Sequence, residues 1–495
     1  MKNQHSFLCF MTMLFFCLAS QAVAQQKETL KSEAIKNLDG QYANYKDIAM
    51  QIWNFAELGY KEVESSKLHQ KTLKDNGFTV QAGVADIPTA FVATFGEGKP
   101  VIGILAEFDA LPGLAQAAEP VKKSLAGKAN GHGCGHHLFG TASVAAAIEL
   151  KNQMVKNKLK GTIKVYGTPA EEGGSGKVYL VRAGLFEGVD AVIHWHPDSK
   201  NESNPSTATA LANISVKFRF RGQAAHASAA PERGRSALDG VEAMDMMVNM
   251  MREHIPQESR IHYVITEGGK APNVVTDFAE VYYYARHPNR EVVKELFERI
   301  VKCANGAAMG TETIVDYEII GGTYNMLPIP ILAKAMHDNL SKVGGVTYSP
   351  EEIAFGKKLQ ESFPEKNRPD IANASKIEPY SVTSIRTNSG STDVGDVSWA
   401  VPTVGLRAAT WIPGTPAHSW QAVACGGTDI GVKGMMVAAK TMTLTGLDLF
   451  MDKTLVEKAT AEWKAGRGTD FKYVPLLGDR KPALNYRDSA TKSSE

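Results

Sequence analysis

Residues 212–325 carry a hydrophobic pattern that few folds satisfy. Asn213–Arg221 alternates as a strand, Ser236–His254 repeats with a helical period and is rich in methionine, and Arg260–Thr266 and Phe278–Arg286 read as strands. Glu291–Ala308 then reads as a helix and Thr313–Ile320 as a strand. The order β-α-β-β-α-β over about 110 residues is the split unit of ferredoxin-like domains. It interrupts a different texture. Before it, residues 28–76 look helical, with Ile48, Ile52, Phe55 and Leu58 on one stripe; Phe91–Phe95, Val101–Ala106 and Thr162–Gly167 read as strands and Gly140–Leu150 as a helix. After Pro328 long helices return, with Val404–Ala408 as a buried strand and Gly427–Phe450 as a helix. Strands alternating with helices predict an α/β fold, a mainly parallel sheet flanked by helices. The expected organisation is one α/β domain in two parts, 25–211 and 326–465, with 212–325 inserted and a polar, poorly patterned tail over 466–495.

The first 24 residues are set apart. Lys2 gives a positive start, Phe7–Ala19 is apolar but too short to span a bilayer as a helix, and Ala22-Val23-Ala24 offers a small-x-small cleavage site. This reads as a secretory signal peptide, so the chain is expected to be exported, most simply to a periplasm, with no membrane span after cleavage. Cys9 and Cys17 leave with that segment. Cys134, Cys303 and Cys425 remain, an odd and sparse set that makes a poor disulfide framework and leaves a thiol spare for metal. A net charge of +1 offers no basic field for nucleic acid.

The chemistry concentrates in a few short segments. Gly131-His132-Gly133-Cys134-Gly135-His136-His137 packs a thiol and three imidazoles into one glycine-rich turn, a donor set suited to zinc and tolerable for manganese. Glu171-Glu172 follows Thr168-Pro169-Ala170 at a strand end, where one carboxylate can hold a cation and the other move a proton. His194-Trp195-His196-Pro197 ends an apolar run, and either histidine could be a ligand. Glu107 and Asp109 follow a buried strand, and Asp109 could orient a metal-binding imidazole.

Taken in order, AEFDALPG, GHGCGHH, GTPAEEGG, HWHP, GQAAHAS, APNVV, GSTDVGD and GTPAHSW resemble the metallo-aminoacylase and glutamate-carboxypeptidase superfamily over roughly residues 40–450. Within it they are most similar to the amidohydrolase branch, in the group of B-type subunits of p-aminobenzoyl-glutamate hydrolase. The resemblance implies two divalent metal ions per subunit, zinc or manganese. Cys134 would bridge them, with His136, Glu172, His196 and His418 as further ligands. It implies Glu171 as general base acting on a metal-activated water, and His226 as a histidine that reaches a partner subunit's active site to stabilise the oxyanion. Asn273 and Arg286 would grip the carboxylate of a small N-acyl amino acid substrate, and the insertion would form a homodimer, with a hetero-oligomer with a related subunit as the alternative. Three positions depart from the pattern: His137 stands where many relatives have aspartate, Thr276 where many have proline, and Glu107 replaces a ligand histidine of the aminopeptidase branches. Two rival readings stay open, a dipeptidase or aminoacylase of the same superfamily and a metal-binding subunit without turnover.

Overall fold

A computed structural model describes residues 25–205, 210–382 and 390–488. The signal-peptide reading therefore lies outside the described residues. Two N-terminal helices, over 25–40 and Tyr42–Phe55, lead into the helix Val63–Asp75 and then to five strands: β1 (Thr79–Ala82), β2 (Phe91–Glu97), β3 (Val101–Ala106), β4 (Gly161–Gly167) and β5 (Ala191–Asp198). The chain next builds β6 (Ala212–Arg221), β7 (Arg260–Glu267), β8 (Phe278–His287) and β9 (Ile314–Thr323), and returns to the first sheet with β10 (Thr403–Ala409). The first sheet has the order β1-β2-β4-β3-β5-β10. Its β4, β3, β5 and β10 are parallel, while β1 and β2 add an antiparallel edge.

Burial explains why this sheet forms. Ile102, Ile104, Leu105 and Ala106 of β3 are all fully buried, as suits a parallel strand covered on both faces. The helices His136–Asn157 and Asp429–Met451 pack on each other and on this sheet. Both are buried nearly all round. Thr441, Thr443 and Thr445 satisfy their hydroxyls within the second helix by donating to carbonyls four residues back, at 2.8–2.9 Å. β5 separates its two faces by alternation: Trp195 points into the core, where its Nε1 donates to the Phe139 carbonyl at 3.0 Å, so His194 and His196 share the opposite face.

The second sheet, β7-β8-β6-β9, is wholly antiparallel. Val216, Phe218 and Phe220 of β6 and Ala279, Val281, Tyr283 and Ala285 of β8 are buried under the helices Ala237–Met251 and Arg290–Gly310. The methionines of the first of these helices divide between two roles: Met244 and Met251 fill this core, while Met246, Met247 and Met250 are exposed. The other face of the sheet carries Asn213, Ser215, Tyr284, Arg286, Gly321 and Thr323. Strand register fixes them as two rows, Arg286-Asn213-Thr323 and Tyr284-Ser215-Gly321. These rows line the same cavity as the carboxyl ends of β3, β4 and β5.

The last helix ends at Arg467, and the residues beyond it are packed rather than loose. Leu476 and Leu477 are buried, and the Tyr324 hydroxyl donates to the Val474 carbonyl at 2.6 Å. The composition of this stretch is polar, but its few apolar side chains carry the packing.

Because Trp195 holds the strand that presents His196, Trp195→Ala should lower unfolding free energy by about 3–5 kcal/mol, the usual cost of emptying a large aromatic site. Denaturant unfolding checks this; a loss under about 1 kcal/mol would contradict the packing described.

Candidate metal centre and catalytic cavity

The turn before the helix His136–Asn157 is shaped by Gly135, at φ 76°, where an added Cβ would lie 2.9 Å from the Pro197 side chain. That close approach brings Cys134 against the end of β5, with Sγ 3.3 Å from His196 Nε2. The His196 Nδ1 proton goes to the Pro197 carbonyl at 2.7 Å, which leaves Nε2 as the donor atom facing the thiol. His136, the first residue of the helix, gives its Nδ1 proton to Asp109 Oδ1 at 2.8 Å. Asp109 Oδ2 in turn accepts the Glu172 backbone N–H at 2.8 Å. One aspartate therefore sets the imidazole's tautomer and fixes the acidic loop beside it.

The loop after β4 is built to expose the two glutamates. Thr168 continues the sheet by donating to the Ala106 carbonyl at 2.8 Å, and Ala170 then turns at φ 58° while its N–H donates to buried Glu62 Oε1 at 2.8 Å. Glu171 and Glu172 follow as the chain kinks. Glu172 Oε1 lies 3.2 Å from His418 Nε2, and His418 reaches in from a distant loop with φ 57°.

Three groups of donor atoms lie within 4.8 Å of one another: Cys134, His136 and His196; Cys134, Glu172 and His418; and Glu107, His136 and Glu171. Cys134 belongs to the first two. His136 Nε2 and Glu107 Oε2 stand 3.1 Å apart, both buried and both without a hydrogen bond. Buried donor atoms left unpaired in this way fit metal ions, and the thiolate, imidazole and carboxylate mix suits zinc or a neighbouring transition metal. The charges agree. Burial, reinforced by Glu107, Glu172 and Asp393, holds the Glu171 carboxyl well above its ordinary range. Hydrogen bonds to Cys134 and Glu172 push His418 up to about 11. Burial alone would discharge His136, yet Cys134, Glu107 and Asp109 raise it well above the usual imidazole value. The shifts of His136 and His418 come from the anionic groups beside them, whereas that of Glu171 comes first from burial.

Of the paired histidines, His196 joins the donor groups. His194 sits against Gly405, where a Cβ would come within 2.3 Å of its Nε2, and burial followed by Lys177 and Arg407 pushes it down to about 3. The other two imidazoles of the glycine-rich turn face away: His132 Nε2 meets the Ile52 carbonyl at 3.1 Å and His137 Nε2 the Gly426 carbonyl at 3.0 Å. They hold helices together.

Glu171, half-buried, and Arg286 line one cavity of about 520 Å³ with Cys134, Glu172, His196 and His418. His226 and Asn273 lie elsewhere. They neighbour each other, for His226 pairs with Val274 and the Ala227 N–H donates to the Asn273 carbonyl at 3.0 Å, but both are exposed and neither lines this cavity. Sequence reasoning gave no part to Lys177. It is fully buried, with Nζ 2.7 Å from both Glu107 Oε1 and Asp393 Oδ1, and its N–H donates to Asp393 Oδ2 at 2.8 Å. A lysine at the head of the apolar run Val178–Val181 was the signal for it.

The profile of peptidase family M20/M25/M40 matches residues 103–422. The chain belongs to that family. It is 40% identical over 465 residues to the B-type subunit of p-aminobenzoyl-glutamate hydrolase from Escherichia coli, covering 89% of this chain and 96% of that one. It is 28% identical to the Xaa-Arg dipeptidase of Mus musculus, over 89% of this chain and 94% of that protein. Among solved structures, a dinuclear metal-binding M20 peptidase from Bacillus subtilis shares the fold at a TM-score of 0.56 and 16% identity, over 83% of this chain and 98% of that one. A Klebsiella pneumoniae aminobenzoyl-glutamate utilization protein does so at 0.56 and 18%, over 84% and 98%. As an M20 family member the chain is a metal-dependent hydrolase of amide bonds.

Asp109→Asn should weaken metal retention by about 10–100-fold, as losing an orienting carboxylate does elsewhere. Cys134→Ser should weaken it further, because a hydroxyl is a poor anionic bridge. Metal content after graded dialysis against chelator measures both, and wild-type retention in either variant would contradict the assignment.

Proposed function

We propose that this M20 enzyme hydrolyses the amide bond of N-acyl amino acids of the p-aminobenzoyl-glutamate type, with zinc or manganese at two positions that share Cys134. The observation that carries the reading is the cavity itself: Glu107, Cys134, Glu172, His196 and His418 line one space with Glu171 and Arg286. Cys134, His136 and His196 would hold one ion and Cys134, Glu172 and His418 the other. When bound, the pair would polarise the amide carbonyl and make water acidic.

The chain's own residues do the rest. Glu171, its carboxyl raised by burial and by its acidic neighbours, is poised to take a proton from the attacking water and pass it to the leaving nitrogen. Arg286, held over the Tyr284 ring at 5.1 Å, pairs with the carboxylate of the amino acid half. The relative with 40% identity supports an aminobenzoyl-glutamate substrate, while the Xaa-Arg dipeptidase keeps peptides in the panel to be tested.

Export to a periplasm is part of the same reading, and the pattern of residues 1–24 supports it. A two-subunit site is a further part. The His226 ring is oriented by the Ala229 N–H, which donates to Nδ1 at 3.1 Å, so its Nε2 is free to act on another chain's cavity. The exposed Met246 and Met250 of the helix Ala237–Met251 and Val264 of the edge strand β7 are apolar side chains on the same sheet-and-helix unit that a second copy could cover. The E. coli relative is named as a subunit, which keeps a hetero-oligomer as the other possible assembly.

Glu171→Gln should retain metal yet lose at least about 10²–10⁴-fold in kcat, because an amide cannot accept the proton. Near-normal turnover would exclude the role. Mixing His226→Ala with Glu171→Gln subunits should restore roughly a quarter of wild-type activity, since about half of the dimers would then hold one intact composite site. Activity at the parental level, with exchange demonstrated by tagged chains co-purifying, would rule out His226 acting across an interface.

A further inference from the structure

The segment beyond Arg467 folds back over the catalytic face. The Tyr473 hydroxyl donates to Asp396 Oδ1 at 2.8 Å, and Arg182 Nη1 donates to the carbonyls of Gly478 and Arg480 at 3.0 and 2.9 Å. Arg480 then donates to the Ile319 and Ile320 carbonyls of β9, with Nη2 3.3 Å from Glu318. The strap thus ties the first unit to the edge of the second sheet before it returns to the loop after β4. There the Tyr486 hydroxyl donates to the Glu172 carbonyl at 2.8 Å, and Arg487 Nη2 donates to the same oxygen. The Tyr486 ring packs edge-on to Tyr60 at 5.6 Å, and the Arg487 guanidinium lies 4.8 Å from the Tyr486 ring centroid.

Arg487 lines the same cavity as Arg286, and the Nε of each is buried without a hydrogen-bond partner. Among the described residues neither guanidinium forms an ion pair with a carboxylate. Arg407, the third arginine of the cavity, differs: Asp198 neutralises it at 2.8 Å. Two half-buried guanidiniums that line one cavity without a carboxylate partner favour a ligand with two anionic groups, since each gains from charge-assisted hydrogen bonds. Every N-acyl amino acid brings one carboxylate, which Arg286 takes up. A second cation is surplus unless the amino acid carries a second carboxylate.

We infer that Arg487, delivered by the C-terminal strap, binds the side-chain carboxylate of an acidic amino acid, so that the strap selects N-acyl glutamates or aspartates over neutral ones. This rests on the hydrolytic reading above, whose substrate already carries glutamate, and adds the residue that recognises the glutamate side chain. The competing role is purely structural, with Arg487 bracing the Glu172 loop.

N-benzoyl-L-glutamate and N-benzoyl-L-glutamine separate the two, since they differ only in the side-chain carboxylate. Calorimetric affinities would be measured on the zinc-loaded full chain in a Glu171→Gln background, with and without Arg487→Gln or Arg487→Lys, alongside kcat/KM in the chain that retains Glu171. The glutamate-over-glutamine preference should fall about 10- to 100-fold in Arg487→Gln, the worth of one charge-assisted pair. Arg487→Lys should keep part of it. If Arg487→Gln weakens both ligands equally, or neither, the inference is wrong. Binding does not require turnover, so the two readings fail separately. A chain that shows the Arg487-dependent preference but cleaves neither compound would overturn the hydrolytic reading alone. One that cleaves N-benzoylglutamate with a preference unaltered by the substitution would overturn this inference alone.

Discussion

The rest of the structure depends on one electrostatic problem. Glu107, Asp109, Glu171, Glu172, Asp393 and the Cys134 thiol converge at the carboxyl ends of the parallel strands, and against them stands the buried ammonium of Lys177. Burying that many acidic groups together is prohibitive unless they are paired, protonated or bound to cations. The fold uses pairing where it can: Lys177 takes one oxygen from each of Glu107 and Asp393, and Asp109 is occupied by His136 and the Glu172 N–H. What remains unpaired is a small set of donor atoms around Cys134, and these are the atoms a metal pair would satisfy.

Seen this way, both structural units serve the centre. The parallel sheet supplies the ends of β3, β4 and β5: Asp109 follows β3, Glu171 follows the left-handed turn at Ala170 after β4, and His196 stands in the last residues of β5. The second sheet adds a lid whose composition follows from strand register: its helix-covered face is apolar and its open face ends in the polar rows containing Arg286 and Asn213. The C-terminal strap joins the two through Arg182, Arg480 and Glu318, so the geometry of the cavity depends on residues well outside the stretch matched by the family profile.

Much of this was legible in the sequence, for identifiable reasons. Periodicity located the four strands of the second sheet and β2, β3, β4 and β10 of the first, because apolar side chains mark them, while the largely exposed β1 carries no such signal. Cys134, His136, Glu171, Glu172 and His196 could be singled out because their motifs are local and dense, whereas His418 and Arg286 were reached only through the family resemblance. Direction was harder to read. His132 and His137 share a motif with His136, yet only His136 faces the donors, since the helix begins there and aims its neighbours at the Ile52 and Gly426 carbonyls. Partnerships between distant segments were not legible at all: Lys177 meets Asp393 across 216 residues and Tyr486 meets Glu172 across 314. The tail reads as polar and unpatterned because its packing rests on a few isolated side chains, Tyr473, Leu476, Leu477 and Tyr486, which carry no period.

The central claim is that Cys134 is the shared ligand of a two-metal centre. Anomalous diffraction at the zinc absorption edge, from crystals of the zinc-loaded protein, tests it directly. Two peaks flanking Cys134 Sγ are predicted, one beside His136 and His196 and the other beside Glu172 and His418. A single peak, or peaks that leave Cys134 out, would contradict the account.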